Sequence, residues 1–248
     1  MTALFISDLH IAPARPAVTA ALLRFLCAVP ASGDALYVLG DLFDFWVGDD
    51  DIDTPLHREV VKAFAGAGTR GVAQYWIPGN RDFLTGDAFA EAARFNPLPE
   101  PYTFDLHGMR TVLLHGDTLC SDDGPYQAFR AEVRSSRWRD DFLARPLLER
   151  RTEIETLRAR SEREKRAKPA LLMDVNRDTV AQLFGETGAT RMIHGHTHRP
   201  ARHDYLMFGR QTKRWVLPAW EDQPGYLRVD ERGGALINLD PIQAENLK

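Results

Sequence analysis

Five short polar clusters each follow an apolar, strand-like run, and together they supply the carboxylate, imidazole and amide groups of a divalent-metal centre. They are Asp8-Leu9-His10 after Ala3 to Ile6, Gly40-Asp41 after Leu36 to Leu39, Gly79-Asn80-Arg81-Asp82 after Tyr75 to Ile77, His115-Gly116-Asp117 after Val112 to Leu114, and Gly195-His196-Thr197-His198 after Met192-Ile193. That order puts the polar groups at the carboxyl ends of strands, where α/β folds build their sites. Asp8 and His10 stand at i and i+2, and in extended backbone this spacing turns both side chains to one face. His196 and His198 repeat the device. Asp41 offers two oxygens, enough to serve two cations, while Asn80 offers an amide oxygen and His115 a ring nitrogen. Nitrogen and oxygen donors without a thiolate suit Mn2+, Fe2+ or Zn2+, and Mn2+ fits this set.

Taken singly these residues have plainer readings. Asp8 or Asp41 alone could cap a loop, and a lone His115 could be a structural hydrogen-bonding residue. Their joint occurrence after five strand-like runs is what points to metal.

The elements that would position them alternate in the N-terminal third. A strand at 3–7 precedes an amphipathic helix over Ala17 to Ala28. A strand at 35–39 precedes a helix near Pro55 to Ala67, and a strand at 72–77 precedes a helix near Gly86 to Arg94. This βαβ rhythm argues for a largely parallel sheet. Trp215 to Trp220, Tyr226 to Asp230 and Ala235 to Leu239 read instead as short strands of a second, mostly antiparallel sheet.

Between these parts lies a basic segment. Residues 127–168 carry 13 Lys or Arg against 8 Asp or Glu, while the rest of the chain carries 18 against 27. It is helix-forming, is broken at Pro146, and holds apolar residues such as Phe129, Trp138, Phe142, Leu148 and Leu157. Residues 124–169 read as an inserted helical cap over the strand ends. Asp174 then reads as the N-cap of a helix ending at Gly188.

The chain has 248 residues and a formal net charge of -4. That length can bury a full core, and the charge speaks against a general nucleic-acid binder. Cys27 and Cys120 are the two cysteines, too few for a disulfide framework, and both read as small buried residues. No run reaches the roughly 18 apolar residues that a membrane span requires. Cleavage of a leader would remove Asp8, so the chain is expected to stay in the cytoplasm.

The pattern D-x-H, G-D, G-N-x-D, H-G-D, G-H-x-H resembles the calcineurin-like metallophosphoesterase superfamily over residues 4 to about 200. The resemblance implies an α/β (α+β) fold, a four-layer αββα sandwich of two mixed sheets, as a single domain with the helical cap at 124–169 inserted. By motif position Asp8, His10, Asp41 and His198 would bind one divalent ion. Asp41, Asn80, His115 and His196 would bind a second, with Asp41 bridging. His194 would be structural, and His57, His107 and His203 match nothing and read as surface residues.

Arg81 departs from most of the superfamily, which has histidine there to assist an alkoxide leaving group. A phosphate monoester, with a second pKa of about 6, needs charge neutralisation more than a proton, and a guanidinium supplies it. Pairing of Arg81 with Asp82 is the structural alternative. Gly40-Asp41-Leu42-Phe43-Asp44, Gly79-Asn80-Arg81-Asp82-Phe83-Leu84, His115-Gly116-Asp117-Thr118-Leu119-Cys120 and Met173-Asp174-Val175-Asn176 resemble the branch of the superfamily that hydrolyses UDP-2,3-diacylglucosamine in lipid A biosynthesis. That implies water attack at the α-phosphorus, giving UMP and 2,3-diacylglucosamine 1-phosphate. It implies catalytic roles for Asn80, Arg81 and His115, two divalent ions (Mn2+ foremost), and substrate contacts from Asn80, Arg81, Asp123, Ser161, Lys168 and His196. Lys165 is added although the family has asparagine there. It further implies a peripheral place on the cytoplasmic face of the anionic inner membrane. A soluble nucleotide diphosphatase and a metal-free scaffold are the alternatives.

Overall fold

The computed structural model describes residues 1–167 and 174–239, with side chains described outside 159–167. The N-terminal part alternates strand β1 (Ala3–Ile6), helix α1 (Pro16–Ala28), β2 (Ala35–Leu39), α2 (Pro55–Thr69), β3 (Ala73–Ile77), α3 (Asp87–Ala93) and the short β4 (Asn96–Pro97). A hairpin of β5 (Tyr102–Leu106) and β6 (Met109–Leu113) leads to four helices: α4 (Gly124–Val133), α5 (Ser136–Leu143), α6 (Leu147–Ala167) and α7 (Arg177–Thr187). Five strands follow: β7 (Arg191–His194), β8 (Ala201–Met207), β9 (Arg210–Val216), β10 (Gly225–Asp230) and β11 (Gly233–Asn238).

The strands form two mixed sheets, ordered β11-β10-β1-β2-β3-β4 and β5-β6-β7-β9-β8. Within them β1, β2 and β3 are parallel, as are β6, β7 and β9, so their carboxyl ends share one edge of each sheet. The first strands are buried on both faces, as parallel strands usually are. Along β1, Ala3 and Phe5 face the seam between the sheets with Tyr37, Leu39, Leu113 and Ile193, while Leu4 and Ile6 pack with Leu22, Phe25 and Phe64 of the helices. Full burial of one such large side chain stabilises by about 1.5–3 kcal/mol, so every position on β1 and β2, buried throughout, favours an apolar residue. In the other sheet Ile193 faces the seam, while Met192 lies among Val180 and Phe184 of α7. The layers are therefore α1–α3, sheet, sheet, α7, the expected αββα order. Across the seam the stacked rings of Phe5, Tyr37 and Tyr75, at 4.8 and 4.7 Å, meet Phe104 of the second sheet at 5.5 Å from Tyr37.

Three helices occupy the basic segment. Helix α5 ends at Leu143 and α6 begins just past Pro146. Phe142 is fully buried in the same core as α1–α3, stacked on Trp138, which in turn reaches Phe83. Arg150, 2% exposed, anchors α6 by donating to the Val47 carbonyl and pairing with Asp50, while Arg151 pairs with Asp51 and Arg158 with Asp44. No described helix is long and apolar enough to cross a membrane.

Several expectations need correction. The C-terminal strands do not make a sheet of their own: β10 pairs antiparallel with β1, Ala3 opposite Val229, while β9 joins β7 in the second sheet. The N-cap of α7 is Asn176, whose side chain accepts from the amides of Asp178 and Thr179; Asp174 pairs with Arg199 instead. His57 is buried, not on the surface, its ring against Phe43 and Trp46 and its Nδ1 at 3.0 Å from the Asp51 carbonyl. Cys27 is exposed, whereas Cys120 is buried.

Candidate metal centre

Each ligand-bearing loop begins where a buried parallel strand ends: β1 before Asp8, β2 before Asp41, β3 before Asn80, β6 before His115 and β7 before His196. The loops are then laced together. The Asp8 amide donates to the Gly40 carbonyl at 3.1 Å and His10 to Asp41 at 2.9 Å, extending the β1–β2 pairing past the strand ends. Gly195 donates to the His115 carbonyl at 2.8 Å, which does the same for β6 and β7. The Asp82 carboxylate accepts from the amides of Gly79 at 2.8 Å, Leu42 at 2.7 Å and Asp41 at 3.2 Å, fastening the second loop to the third. Burial and the Asp41 charge push its pKa up to about 7.

The backbone at the ligands is not extended. Asp8, His10, Asp41, His196 and His198 all have left-handed φ, between 48° and 68°. The reasoning from i, i+2 spacing on a strand is therefore corrected. The side chains converge because these residues leave the strand path into a region that Asp and His tolerate better than most residues do. Close approach is enforced by glycine: a Cβ on Gly79 would strike the Asp41 carboxylate, and one on Gly195 would strike Asp8 and Ser7.

All seven expected ligands come together. The Asn80 Oδ1 lies 3.0 Å from His115 Nε2 and 2.9 Å from His196 Nδ1. One oxygen of Asp41, Oδ2, faces two imidazoles, 3.9 Å from His10 Nε2 and 3.7 Å from His115 Nε2. His198 Nε2 is 3.5 Å from Asp8 Oδ1 and 3.1 Å from His10 Nε2. Among the described residues two groups are tight enough to hold an ion, Asp8 with His10 and His198, and Asp8 with Asp41 and His115.

The donor set fits a cation on its own chemistry. His115 Nδ1 lies 2.9 Å from the Leu39 carbonyl oxygen, which can only accept, so that nitrogen carries the hydrogen. In the neutral ring Nε2 is then a bare lone pair, aimed with Asn80 Oδ1 and Asp41 Oδ2 at one region. The buried Asp8 Oδ1 accepts no hydrogen bond among the described residues. Protonation shifts express the same need. Burial acts to raise the Asp8 carboxyl, but His198, His115 and His10 outweigh it and hold the group far below its usual range. Burial, helped by the Asp8 charge, pushes Asp41 up. Burial lowers His115, yet Asp41, Asp8, Asp117 and Glu100 carry it up to about 9. A divalent ion bound here would displace the proton held by His115.

Arg81 donates its backbone amide to Asp41 Oδ1 at 2.8 Å. Asp123 caps α4, accepting from the Tyr126 amide at 3.2 Å. The side chains of Ser161 and Lys165 on α6, and the whole of Lys168, lie outside the described residues. His194 is buried, its Nε2 accepting from Arg214 at 2.9 Å and its Nδ1 facing the Gly195 carbonyl. Burial, with the Arg214 charge, holds it down to about 3, so it serves as a neutral strut.

Sequence reasoning gave no role to Asp117, Glu100, Tyr126, Arg130 or Arg134. Asp117 Oδ2 accepts from the Tyr126 hydroxyl at 2.8 Å and from Arg130 at 2.6 Å; Arg134 donates to the Gly79 carbonyl at 2.8 Å. The i, i+4, i+8 spacing of Tyr126, Arg130 and Arg134 was a signal of one polar helix face. Nothing local marks Glu100.

Residues 1–200 match the family model described as calcineurin-like phosphoesterase. The chain is 48% identical to the UDP-2,3-diacylglucosamine hydrolase of Aromatoleum aromaticum, covering 94% of this chain and 95% of the relative. It is 44% identical to the protein of that name from Edwardsiella ictaluri, over 99% of this chain and 95% of the relative. With the one from Aeromonas hydrophila the identity is 47%, over 93% and 98%.

Proposed function

The chain belongs to the calcineurin-like phosphoesterase family, and from that premise we propose that it hydrolyses the diphosphate of UDP-2,3-diacylglucosamine at the α-phosphorus, releasing UMP and 2,3-diacylglucosamine 1-phosphate for lipid A biosynthesis. The observation that carries this reading is the near end-to-end relation to hydrolases of that name in a chain whose seven ligand residues converge. Asp8, His10, Asp41 and His198 would hold one divalent ion and Asp41, Asn80, His115 and His196 the other, with Mn2+ the natural occupant of a thiolate-free set. Such ions, when bound, supply Lewis acidity for the phosphoryl group and the attacking water.

The chain's own residues do the rest. Asn80 and Arg81 orient the diphosphate, and the Arg81 guanidinium neutralises the sugar phosphate as it leaves, so no general acid is required. His115 is held in the tautomer that turns Nε2 inward by its bond to the Leu39 carbonyl. Asp123, Ser161, Lys165, Lys168 and His196 complete the substrate contacts. Residues 124–169 act as a cap within one domain spanning 1–248. Phe129 and Leu148, 43% and 74% exposed on α4 and α6, support a role in receiving acyl chains. The same apolar and cationic surface would seat the protein on the cytoplasmic face of the anionic inner membrane, each cation near the surface contributing about 1 kcal/mol.

Mass analysis of the products from the acylated UDP-sugar tests the reading. UMP is the expected nucleotide; UDP would move the attack away from the α-phosphorus and refute it.

A further inference from the structure

The side of the centre that carries His115 is braced by a relay that ends on helix α4. The His115 backbone amide donates to Glu100 Oε1 at 2.6 Å. Glu100 Oε2 is 3.1 Å from Arg130 Nη2, and Arg130 Nε donates to Asp117 Oδ2 at 2.6 Å, two residues past His115. One planar guanidinium thus bridges two carboxylates whose side chains are 11% and 0% exposed. The same helix adds Tyr126 to Asp117, Gln127 to the carbonyls of Asp117 and Cys120, and Arg134 to the Gly79 carbonyl beside Asn80. Tyr126 also faces the His196 ring, 6.1 Å between centroids and inclined by 28°. The partners of α4 therefore lie in, or next to, the loops of His115, Asn80 and His196. The other half is braced differently, by Ser7 on Asp8 at 2.6 Å and by Arg15 on the His10 carbonyl at 3.0 Å.

We propose that Arg130 is a positioning residue for one half of the centre: through Glu100 and Asp117 it fixes the loop of His115 and ties helix α4 to it. The inference rests on the reading that Asn80, His115 and His196 hold one of two divalent ions. Without the guanidinium, two nearly buried carboxylates face each other beside the His115 main chain with no group among the described residues bridging both, since Arg134 reaches Asp117 alone, at 3.9 Å. They must separate, and the loop moves with them. Only the ion on that side loses its geometry.

The test is Mn2+ binding to the full chain, followed by titration calorimetry and by the electron spin resonance signal of paired Mn2+. The variants are Arg130→Met, Arg130→Lys and the double substitution Glu100→Gln with Arg130→Met, each first checked for its melting transition in chelator. Arg130→Met is expected to weaken one of the two binding steps about tenfold, the low end for partners behind a ligand, while leaving the other within about twofold. Arg130→Lys, which keeps charge but lacks the fork, is expected to fall between Met and wild type. The double variant removes one stranded charge while keeping an acceptor for the His115 amide, and is expected to recover most of the loss. Unchanged affinities, an equal loss on both steps, or no recovery in the double variant would overturn the proposal. Wild-type protein that binds no pair of Mn2+ would bring down the two-ion reading itself, and this inference with it.

Discussion

Replacing Asp41 by asparagine should reverse the order of stability of two proteins when metal is added. Asp41 is 2% exposed; its Oδ1 accepts from the Arg81 amide, and its Oδ2 faces His10 and His115. An asparagine keeps the first bond and removes the charge that does most to raise His115, freeing Nε2 of its proton so that it can accept from the new amide. That charge is also one that burial and Asp8 both disfavour. Relief of a strained functional group of this kind yields about 0.5–2 kcal/mol, which is about 1–8 °C of melting temperature for a chain of this size. In chelator at pH 8, Asp41→Asn should therefore melt above wild type. Because the folded carboxyl is raised above its unfolded value, its ionisation costs wild-type stability as pH rises through the raised value. The variant's advantage should accordingly fade as pH falls toward the ordinary carboxyl range. With Mn2+ at about a hundred times its dissociation constant, wild type gains about 2.7 kcal/mol per occupied site, and the variant, having lost the carboxylate proposed to bridge the two ions, gains little. Scanning calorimetry of the two proteins in chelator and in Mn2+ reads the crossing. A variant less stable than wild type in chelator, or equally stabilised by Mn2+, would refute the reasoning.

Gly79→Ala puts a methyl 2.8 Å from Asp41 Cγ; a displacement of about 1 Å should lower kcat/KM about a hundredfold and cost about 1–3 kcal/mol. Gly66→Ala, in α2 with its nearest neighbour at 3.8 Å, should instead raise the melting temperature by about 0.5–1 kcal/mol equivalent. Burial holds His57 below its ordinary pKa despite its bond to Asp51. Its contribution is then complete above about pH 6.5 and lost as pH falls toward the depressed value, so His57→Gln should flatten the stability profile in that window when unfolding is followed in chelator. Arg81→His should reduce cleavage of the diphosphate more than that of an activated phenyl phosphodiester, and equal losses in the two assays would contradict the role given to the guanidinium.

The strand-then-ligand order was readable because runs such as Ala3–Ile6 and Ala35–Leu39 are buried on both faces and must be apolar throughout. The convergence of their ends followed from the parallel arrangement that βαβ spacing enforces. Periodicity carries no information about which strand is its neighbour, which is why the pairing of Val229 with Ala3 was missed. Nor does it report φ, so Asp8 and His10 looked extended when they are left-handed. Charge composition does not report burial: Arg150 sits in a basic run, yet it is buried because the Val47 carbonyl and Asp50 meet it there. The Glu100 relay joins residues far apart in the chain and left no local trace.

The expected ligands divide between the two sheets, with Asp8, His10, Asp41 and Asn80 on one and His115, His196 and His198 on the other. The centre is thus a gauge of how the sheets are stacked. A slip of one across the other by a fraction of a bond length would spoil the ligand polygon while every strand ladder stayed intact. Rings in the seam, such as Tyr37 against Phe104, set that alignment, so a change there would reach the reaction through registration of the two halves with no contact to the ions or the substrate.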